Sequence, residues 1–126
     1  MFELEKHYEQ YSNDIYKFIY FLTFNKQLAE DLMQETFIKA FEARTPFRNE
    51  AQISTWLHAI AKNCTYDYLK KKSNRLFLPF GIMPEPEAVQ LSAEEIAHLE
   101  EDRKALYIAL SQLKYDFRAA IILRKL

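Results

Sequence analysis

Several residue types that interrupt or cross-link a chain are scarce in this 126-residue sequence. There is one glycine and only four prolines, so long stretches contain no helix breaker. A single glycine also excludes the glycine-rich loop that holds phosphate groups in nucleotide-binding folds. The only cysteine, Cys64, excludes an internal disulfide and fits a reducing cytosol. The most apolar run, residues 15–24, is too short to span a bilayer and contains Lys17.

What is present favours an all-α fold. Apolar residues make up 49% of the chain and aromatic residues 15%, enough for a compact core of aromatic-rich helices. Apolar residues at helical spacing predict helices over about 3–23, 26–43, 53–72 and 93–113, and a last short helix from 118. Asn25 and Ser92 are the predicted helix N-caps, Ser92 with Glu95 in a capping box. Residues 73–92 hold three of the prolines and the glycine, which indicates a linker.

Charge is unevenly distributed along the chain. The formal net charge of −1 predicts no nucleic-acid partner by itself. Residues 44–75 nevertheless contain seven Lys or Arg against two acids, whereas residues 76–102 contain seven acids and no Lys or Arg. A basic block followed by an acidic block is an asymmetry that function has to explain.

The sequence contains no catalytic or metal-binding constellation. The three histidines are isolated from one another, and Cys64 falls on the apolar stripe of a predicted helix, where it is expected to be a small core residue. We therefore predict no catalytic residue, no metal and no cofactor, and a small helical hydrolase is a remote alternative.

The stretch AEDLMQETFIKAFEA, residues 29–43, places an acidic stripe beside apolar side chains. The stripe consists of Asp31, Gln34, Glu35 and Glu42. A helix face of this kind is ordinarily just solvated. The alternative is a docking face for a basic partner helix, with Leu32 and Ile38 as apolar contacts among charges that steer association.

The third predicted helix carries a pattern suited to single-stranded nucleic acid. Ala59, Lys62, Asn63, Tyr66 and Lys70 fall on one side of it, and the preceding loop supplies Phe47 and Arg48. Lysine neutralises phosphate, asparagine hydrogen-bonds a base edge, and tyrosine offers a stacking face. A basic helix end with ordinary aromatic packing fits the same pattern, so both interpretations stay open on the residues alone.

These two stretches resemble the second conserved region of bacterial RNA polymerase sigma factors of the extracytoplasmic-function (ECF) group. The family pattern is approximately A-E-D-L-x-Q-E-x-F-x-x-A, a short F-R-x loop, then T-W-L-x-x-I-A-x-N-x-x-x-D-x-L-R/K-R/K. The chain matches it with AEDLMQETFIKA and with TWLHAIAKNCTYDYLKK, in the same order and at the same spacing. The end of the chain, ALSQLKYDFRAAIILRKL, resembles the beginning of the family's fourth region.

The resemblance implies a fold and a set of partners. The expected domains are a three-helix region 2 bundle over 1–73, a linker over 74–92 and the beginning of a region 4 domain over 93–126. It implies that Asp31, Leu32, Gln34 and Glu35 dock on the clamp coiled coil in the β′ subunit of core RNA polymerase. It also implies that promoter DNA is a partner and that a flipped non-template base of the −10 element is held, with Phe47, Arg48, Lys62, Asn63, Tyr66 and Lys70 as the DNA-binding residues. An anti-sigma factor is a further expected partner.

Two departures from the family pattern carry expectations of their own. Asn49 stands where family members often have glycine; asparagine also tolerates a left-handed turn, so base choice is expected to differ. The sequence stops where the helix-turn-helix of region 4 is expected, so we expect a truncated form that does not read a complete promoter. The alternative function is a helical interaction protein that binds polymerase or a regulator without promoter recognition.

Overall fold

The protein is all-α, as predicted. The structure is a computed structural model that describes residues 3–44, 49–73 and 91–125. It contains the six helices α1 (Leu4–Thr23), α2 (Lys26–Ala43), α3 (Glu50–Ser73), α4 (Ala93–Ala97), α5 (Glu101–Ser111) and α6 (Tyr115–Lys125). None of the helices in these ranges is long and apolar enough to cross a membrane.

Helices α1, α2 and α3 form a bundle around the apolar stripe of α1. Four side chains of this stripe have no exposed surface: Ile15, Phe18, Ile19 and Leu22. Helical spacing predicts a core stripe on α2 made of Ala29, Met33, Phe37 or Thr36, and Ala40, and all of these side chains are buried. Helix α3 contributes Ile53, Leu57, Ala61, Cys64 and Leu69. Helical spacing also predicts Ile60 for the core side of α3, but this side chain is only partly buried, and Ala61 takes the buried position.

A tight turn joins α1 to α2. Phe24 has a φ of 53°, in the left-handed region that non-glycine residues rarely occupy. The phenyl ring is buried, and this packing offsets the cost of the conformation. The predicted N-cap of α2 is confirmed, since the side-chain oxygen of Asn25 accepts a hydrogen bond from the amide of Leu28 at 2.9 Å.

Helix α3 begins earlier than the hydrophobic pattern predicted. It starts at Glu50 rather than near residue 53, because Asn49 caps it: the side-chain oxygen of Asn49 accepts from the amide of Gln52 at 3.0 Å. Periodicity missed this first turn, since its residues Glu50, Ala51 and Gln52 are exposed. The predicted DNA-binding residues Phe47 and Arg48, in the loop before it, lie outside the described residues.

The C-terminal helices also differ from the prediction. The capping box at Ser92 and Glu95 is confirmed, but the helix expected over 93–113 is interrupted after Ala97 and resumes as α5 at Glu101. The acids Glu101 and Asp102 in the first turn of α5 favour a new helix start there, because they complement the helix dipole. The last helix begins at Tyr115 and not at 118.

Helices α5 and α6 lie against the bundle. The ring of Tyr107 on α5 meets the ring of Phe24 edge-on, with centroids 5.1 Å apart, and the guanidinium of Arg103 lies 5.3 Å from the ring centroid of Tyr20. Helix α6 packs against α1, burying Ala119 and Ile122. Most of the predicted linker, residues 74–90, lies outside the described ranges, and the domain boundaries stay predictions.

A polar cluster fastens α1 to the first turn of α3. Nδ1 of the buried His7 ring lies 2.8 Å from the amide nitrogen and 2.9 Å from the carbonyl oxygen of Glu3, and Nε2 lies 3.4 Å from the Glu50 carboxylate. The Tyr11 hydroxyl donates to the second carboxylate oxygen of Glu50 at 3.1 Å. Lys6 lies 3.9 Å from the same carboxylate. The cluster therefore holds the first turn of α3, which begins after its Asn49 cap, against α1.

The same cluster controls the ionisation of Glu50. Desolvation of the carboxylate opposes its charge, but the hydrogen bonds from Tyr11 and His7 and the neighbouring charges outweigh that effect. The pKa of Glu50 is therefore lowered from its ordinary value of 4.5. A lowered pKa in the folded state means that the ionised carboxylate stabilises the fold above about pH 4.5, and that this contribution is lost as the pH falls through the folded-state value.

We predict that Glu50→Gln lowers the free energy of unfolding at pH 7, and that its difference from the unmodified chain narrows as the pH falls below about 4.5. The measurement is urea denaturation at a series of pH values. Glu9→Gln, the same change at an exposed residue of α1, is the control and should show no such narrowing. A Glu50→Gln deficit that stays constant from pH 7 to pH 3 would contradict the role given to this carboxylate.

Candidate nucleic-acid and protein interfaces

The acidic stripe of α2 is exposed and organised by bonds within its own helix. The Asp31 carboxylate accepts from Gln27 at 3.0 Å, and Gln34 donates to Glu30 at 3.2 Å. Glu35 forms an ion pair with Lys39 at 3.2 Å, one turn along the helix. Exposed pairs of this kind contribute only a few tenths of a kcal/mol, about 0.3–0.5. The stripe can therefore exchange these bonds for contacts with a partner at little cost.

One predicted docking residue has a different position from the one expected. Leu32 was expected to offer an apolar contact among the charges of the stripe, but its side chain is only 4% exposed and belongs to the bundle core. The apolar side chain presented beside the stripe is Ile38, at 56% exposure. Leu32 lies with Met33 on the buried side of α2, beneath the acidic stripe.

A shallow apolar groove lies beside the acidic stripe and was not foreseen from the sequence. It has a volume of about 610 Å³ and runs between α1 and α2. The Tyr8 and Phe37 rings meet edge-on in it, with centroids 5.0 Å apart. The groove is lined by Leu4, Glu5, Tyr8, Gln34, Phe37 and Ile38. The helical spacing of Leu4 and Tyr8 was visible in the sequence, but only packing decides that they open to solvent next to Gln34.

The predicted DNA-binding residues of α3 lie along one side of that helix. Asn63 is exposed, while Lys62, Tyr66 and Lys70 are partly buried. The Lys70 ammonium lies 6.0 Å from the centroid of the Tyr66 ring, so a cation and an aromatic face stand together. The structure thus places these four residues on one side of α3, and their role in DNA binding stays a prediction.

Two depressions extend this side of α3 toward its first turn. A groove of about 490 Å³ is lined by Asn49, Ala51, Gln52, Thr55, Trp56 and Ala59. A cleft of about 530 Å³ is lined by Asp14, Ser54, Thr55, His58, Ala59, Lys62 and Leu123. Thr55 and Ala59 belong to both, so the two depressions adjoin. The i, i+3, i+4 spacing of the predicted face, continued from Ala59 back to Gln52, was the sequence signal that would have found them.

The α3 side that faces the core carries Cys64, which behaves as a structural residue. Its side chain is 3% exposed, and burial raises the pKa of the thiol, so the thiolate is disfavoured at neutral pH. The prediction of a small core residue is confirmed. The ranges 3–44, 49–73 and 91–125 contain no group of three metal-binding side chains.

Comparison with known proteins identifies the family. The family model for sigma-70 region 2 matches residues 7–75, which is more than half of the chain. The chain is 31% identical over 121 residues to the ECF RNA polymerase sigma factor SigX of Bacillus subtilis, covering 93% of this chain and 62% of that protein. It is 29% identical over 120 residues to the ECF RNA polymerase sigma factor SigM of the same organism, covering 95% and 72%.

A third relative agrees with these two. The ECF RNA polymerase sigma factor BldN of Streptomyces coelicolor is 32% identical over 118 residues, covering 93% of this chain and 45% of BldN. The chain thus spans between 45% and 72% of the length of these relatives. No solved structure matches the chain significantly. The resemblance to region 2 noted in the sequence and the bundle of α1, α2 and α3 are confirmed: the chain belongs to the sigma-70 region 2 family, and its relatives are sigma factors of the ECF group.

Proposed function

We propose that this chain acts in transcription initiation as a specificity factor without catalytic activity of its own. In this role it docks on core RNA polymerase and captures one strand of a promoter −10 element. The observation that carries the proposal is the presence of two different faces on one sigma-70 region 2 bundle. An acidic stripe with an apolar groove lies on α2, and a basic, aromatic side lies on α3.

The α2 face suits a basic helical partner. Asp31, Gln34 and Glu35 are exposed, and Ile38 and the groove beside them offer apolar contact. Charges on such a face steer association and fix register, while the desolvated apolar contact contributes most of the affinity. We propose that the partner is the clamp coiled coil in the β′ subunit of the polymerase.

The α3 side suits an unpaired strand. Lys62 and Lys70 are placed to neutralise phosphates, and Tyr66 offers a ring for stacking. Flipping a base costs a few kcal/mol, and stacking on an aromatic ring recovers about 1–3 kcal/mol per base. Stacking of one or two bases therefore offsets the cost, so a transiently open strand can be trapped without hydrolysis of a nucleotide.

We propose that the flipped non-template base is held between the loop and the exposed amide of Asn63. Phe47 and Arg48 would line the loop side of this pocket. The groove at Asn49, Gln52 and Thr55 supports the proposal, since it continues the α3 face toward that loop. Asparagine suits this task because its amide both donates to and accepts from a base edge.

Two further parts of the proposal concern partners and place of action. An anti-sigma factor is the proposed regulator, and exposed apolar side chains on the C-terminal helices, such as Ile108 and Phe117, are a surface of the kind that it could cover. The cytoplasm is the proposed place of action, because it is where polymerase and promoter DNA meet.

The alternative is a helical interaction protein that binds polymerase or a regulator but does not recognise a promoter. One observation favours it: α6 lies against α3 and contacts Lys62 through Asp116. The two functions differ in strand binding, so an experiment that measures polymerase binding and strand binding separately distinguishes them.

We predict that Asp31→Arg combined with Glu35→Arg weakens binding to core RNA polymerase by about 100-fold or more, because juxtaposed like charges cost several kcal/mol. Gel filtration and fluorescence titration with purified bacterial core polymerase measure the effect. Glu94→Arg combined with Asp102→Arg is the control, since it makes the same charge change at exposed residues of α4 and α5. Unchanged polymerase binding by a folded Asp31/Glu35 variant would remove the docking role.

We predict that Asn63→Ala weakens capture of a −10 non-template oligonucleotide by the polymerase complex by about tenfold, the size expected for losing one base-reading amide. Polymerase binding should not change. The readout is co-elution of a labelled oligonucleotide with the complex, and Gln10→Ala, at an exposed amide residue of α1, is the control. An equal fall in both binding events would contradict the assignment of Asn63 to a base pocket.

A further inference from the structure

Helix α6 occupies part of the α3 side that the proposed function assigns to DNA. Tyr115, the first residue of α6, has no exposed surface. Its hydroxyl donates a hydrogen bond to the main-chain carbonyl of Lys62, and its ring meets the Tyr66 ring edge-on with centroids 5.4 Å apart. Another aromatic side chain therefore already packs against the Tyr66 ring.

Helix α6 also forms an ion pair with Lys62, a positive charge of the same surface. The Lys62 ammonium lies 3.3 Å from the Asp116 carboxylate, which is itself largely exposed. An exposed pair of this kind adds little stability. It does place a carboxylate where a strand would need its phosphate, so Lys62 cannot serve both partners in the same geometry.

Further contacts hold α6 in this position. Arg118 is 2% exposed; its guanidinium donates to the carbonyl of Leu113 at 2.7 Å and lies 5.5 Å from the centroid of the Tyr115 ring. Leu123, about two turns after Tyr115 on α6, forms one wall of the cleft that contains Ala59 and Lys62. Arg118 therefore holds Tyr115 in place from within α6. Helix α6 both forms a wall of the cleft and packs against the Tyr66 ring.

The hydroxyl of Tyr115 is a dependable donor in this contact. Burial raises the pKa of Tyr115 strongly, so the phenol stays protonated throughout the physiological range. The hydrogen bond to Lys62 thus persists at neutral pH. Removal of the hydroxyl alone, as in Tyr115→Phe, deletes this bond and the contact of the hydroxyl with Thr65 while keeping the ring.

We propose that α6 and a single DNA strand compete for this surface of α3, so that the chain binds a strand tightly only when α6 has moved off Lys62 and Tyr66. This inference rests on the proposed function, because it assumes that the strand binds at these residues. The apparent affinity of a protein for a ligand falls by the fraction of molecules in the competent state. An α6 that covers the site in most molecules therefore weakens strand binding in proportion.

The experiment is a fluorescence anisotropy titration of the full chain with a labelled single-stranded DNA of mixed sequence. Tyr115→Phe should bind about fivefold more tightly than the unmodified chain, because the loss of one ordinary hydrogen bond shifts the covered population by about that factor. Tyr115→Ala should bind more tightly still. Both changes are neutral in charge, so general attraction for DNA does not account for a gain.

Phe117→Ala is the matched control. It truncates a neighbouring aromatic side chain of α6 that is 63% exposed, and it should leave strand affinity unchanged. Amide hydrogen exchange gives a second readout: saturating oligonucleotide should speed exchange in α6 of the unmodified chain. If Tyr115→Ala proves unfolded by circular dichroism, the strand affinity of Tyr115→Phe relative to the unmodified chain tests the competition by itself.

The outcomes separate this inference from the proposed function. If the Tyr115 variants bind the strand no more tightly, and Asn63→Ala weakens binding in every background, the strand site stands and competition by α6 is overturned. If no folded variant binds the oligonucleotide, or if Asn63→Ala has no effect even with Tyr115→Ala, the strand site itself fails. Tighter binding by Tyr115→Phe that Asn63→Ala reverses supports both.

Discussion

Burial of one stripe of α1 is the constraint on which the rest of the structure depends. Phe18 and Ile19 lie at the centre of the bundle with no exposed surface, and α2, α3 and α6 all pack against the helix that carries them. Burial of such side chains contributes about 1.5–3 kcal/mol each, far more than any exposed ion pair of this protein. Because α2 and α3 must each turn an apolar side inward, their polar sides face solvent in different directions.

The two outward faces differ in how firmly they are held. The acidic stripe of α2 rests directly on buried residues such as Leu32 and Met33, so its geometry follows from the core. The α3 face has a second support, because Glu50 is tied to His7 and Tyr11 on α1 before the helix enters the core. The two faces are therefore held by separate supports: the bundle core for α2, and the Glu50 contacts with α1 for the start of α3.

The sequence predicted much of the fold because its patterns are strong. Helical spacing gave α1 and α2 within about a residue, and Asn25 and Ser92 were recognised as caps from residue type alone. The features that were missed have causes that hydrophobic periodicity does not register. The first turn of α3 depends on a cap, and the new helix start after Ala97 depends on acidic residues. The first turn of α6 depends on one buried tyrosine. Leu32 was misplaced because an apolar residue beside charges can face either way.

Residue types and their order determined the family, the all-α class and the residues that could meet a polymerase or a strand, since these depend on chemistry carried within single helices. Tertiary structure alone decided which of those residues are accessible. A groove opens where Tyr8 of α1 meets Phe37 of α2, and Tyr115 reaches Lys62 across fifty-three positions of sequence. Contacts between residues that distant depend on how helices pack, because packing is set by the shape of all buried side chains together and not by any local pattern.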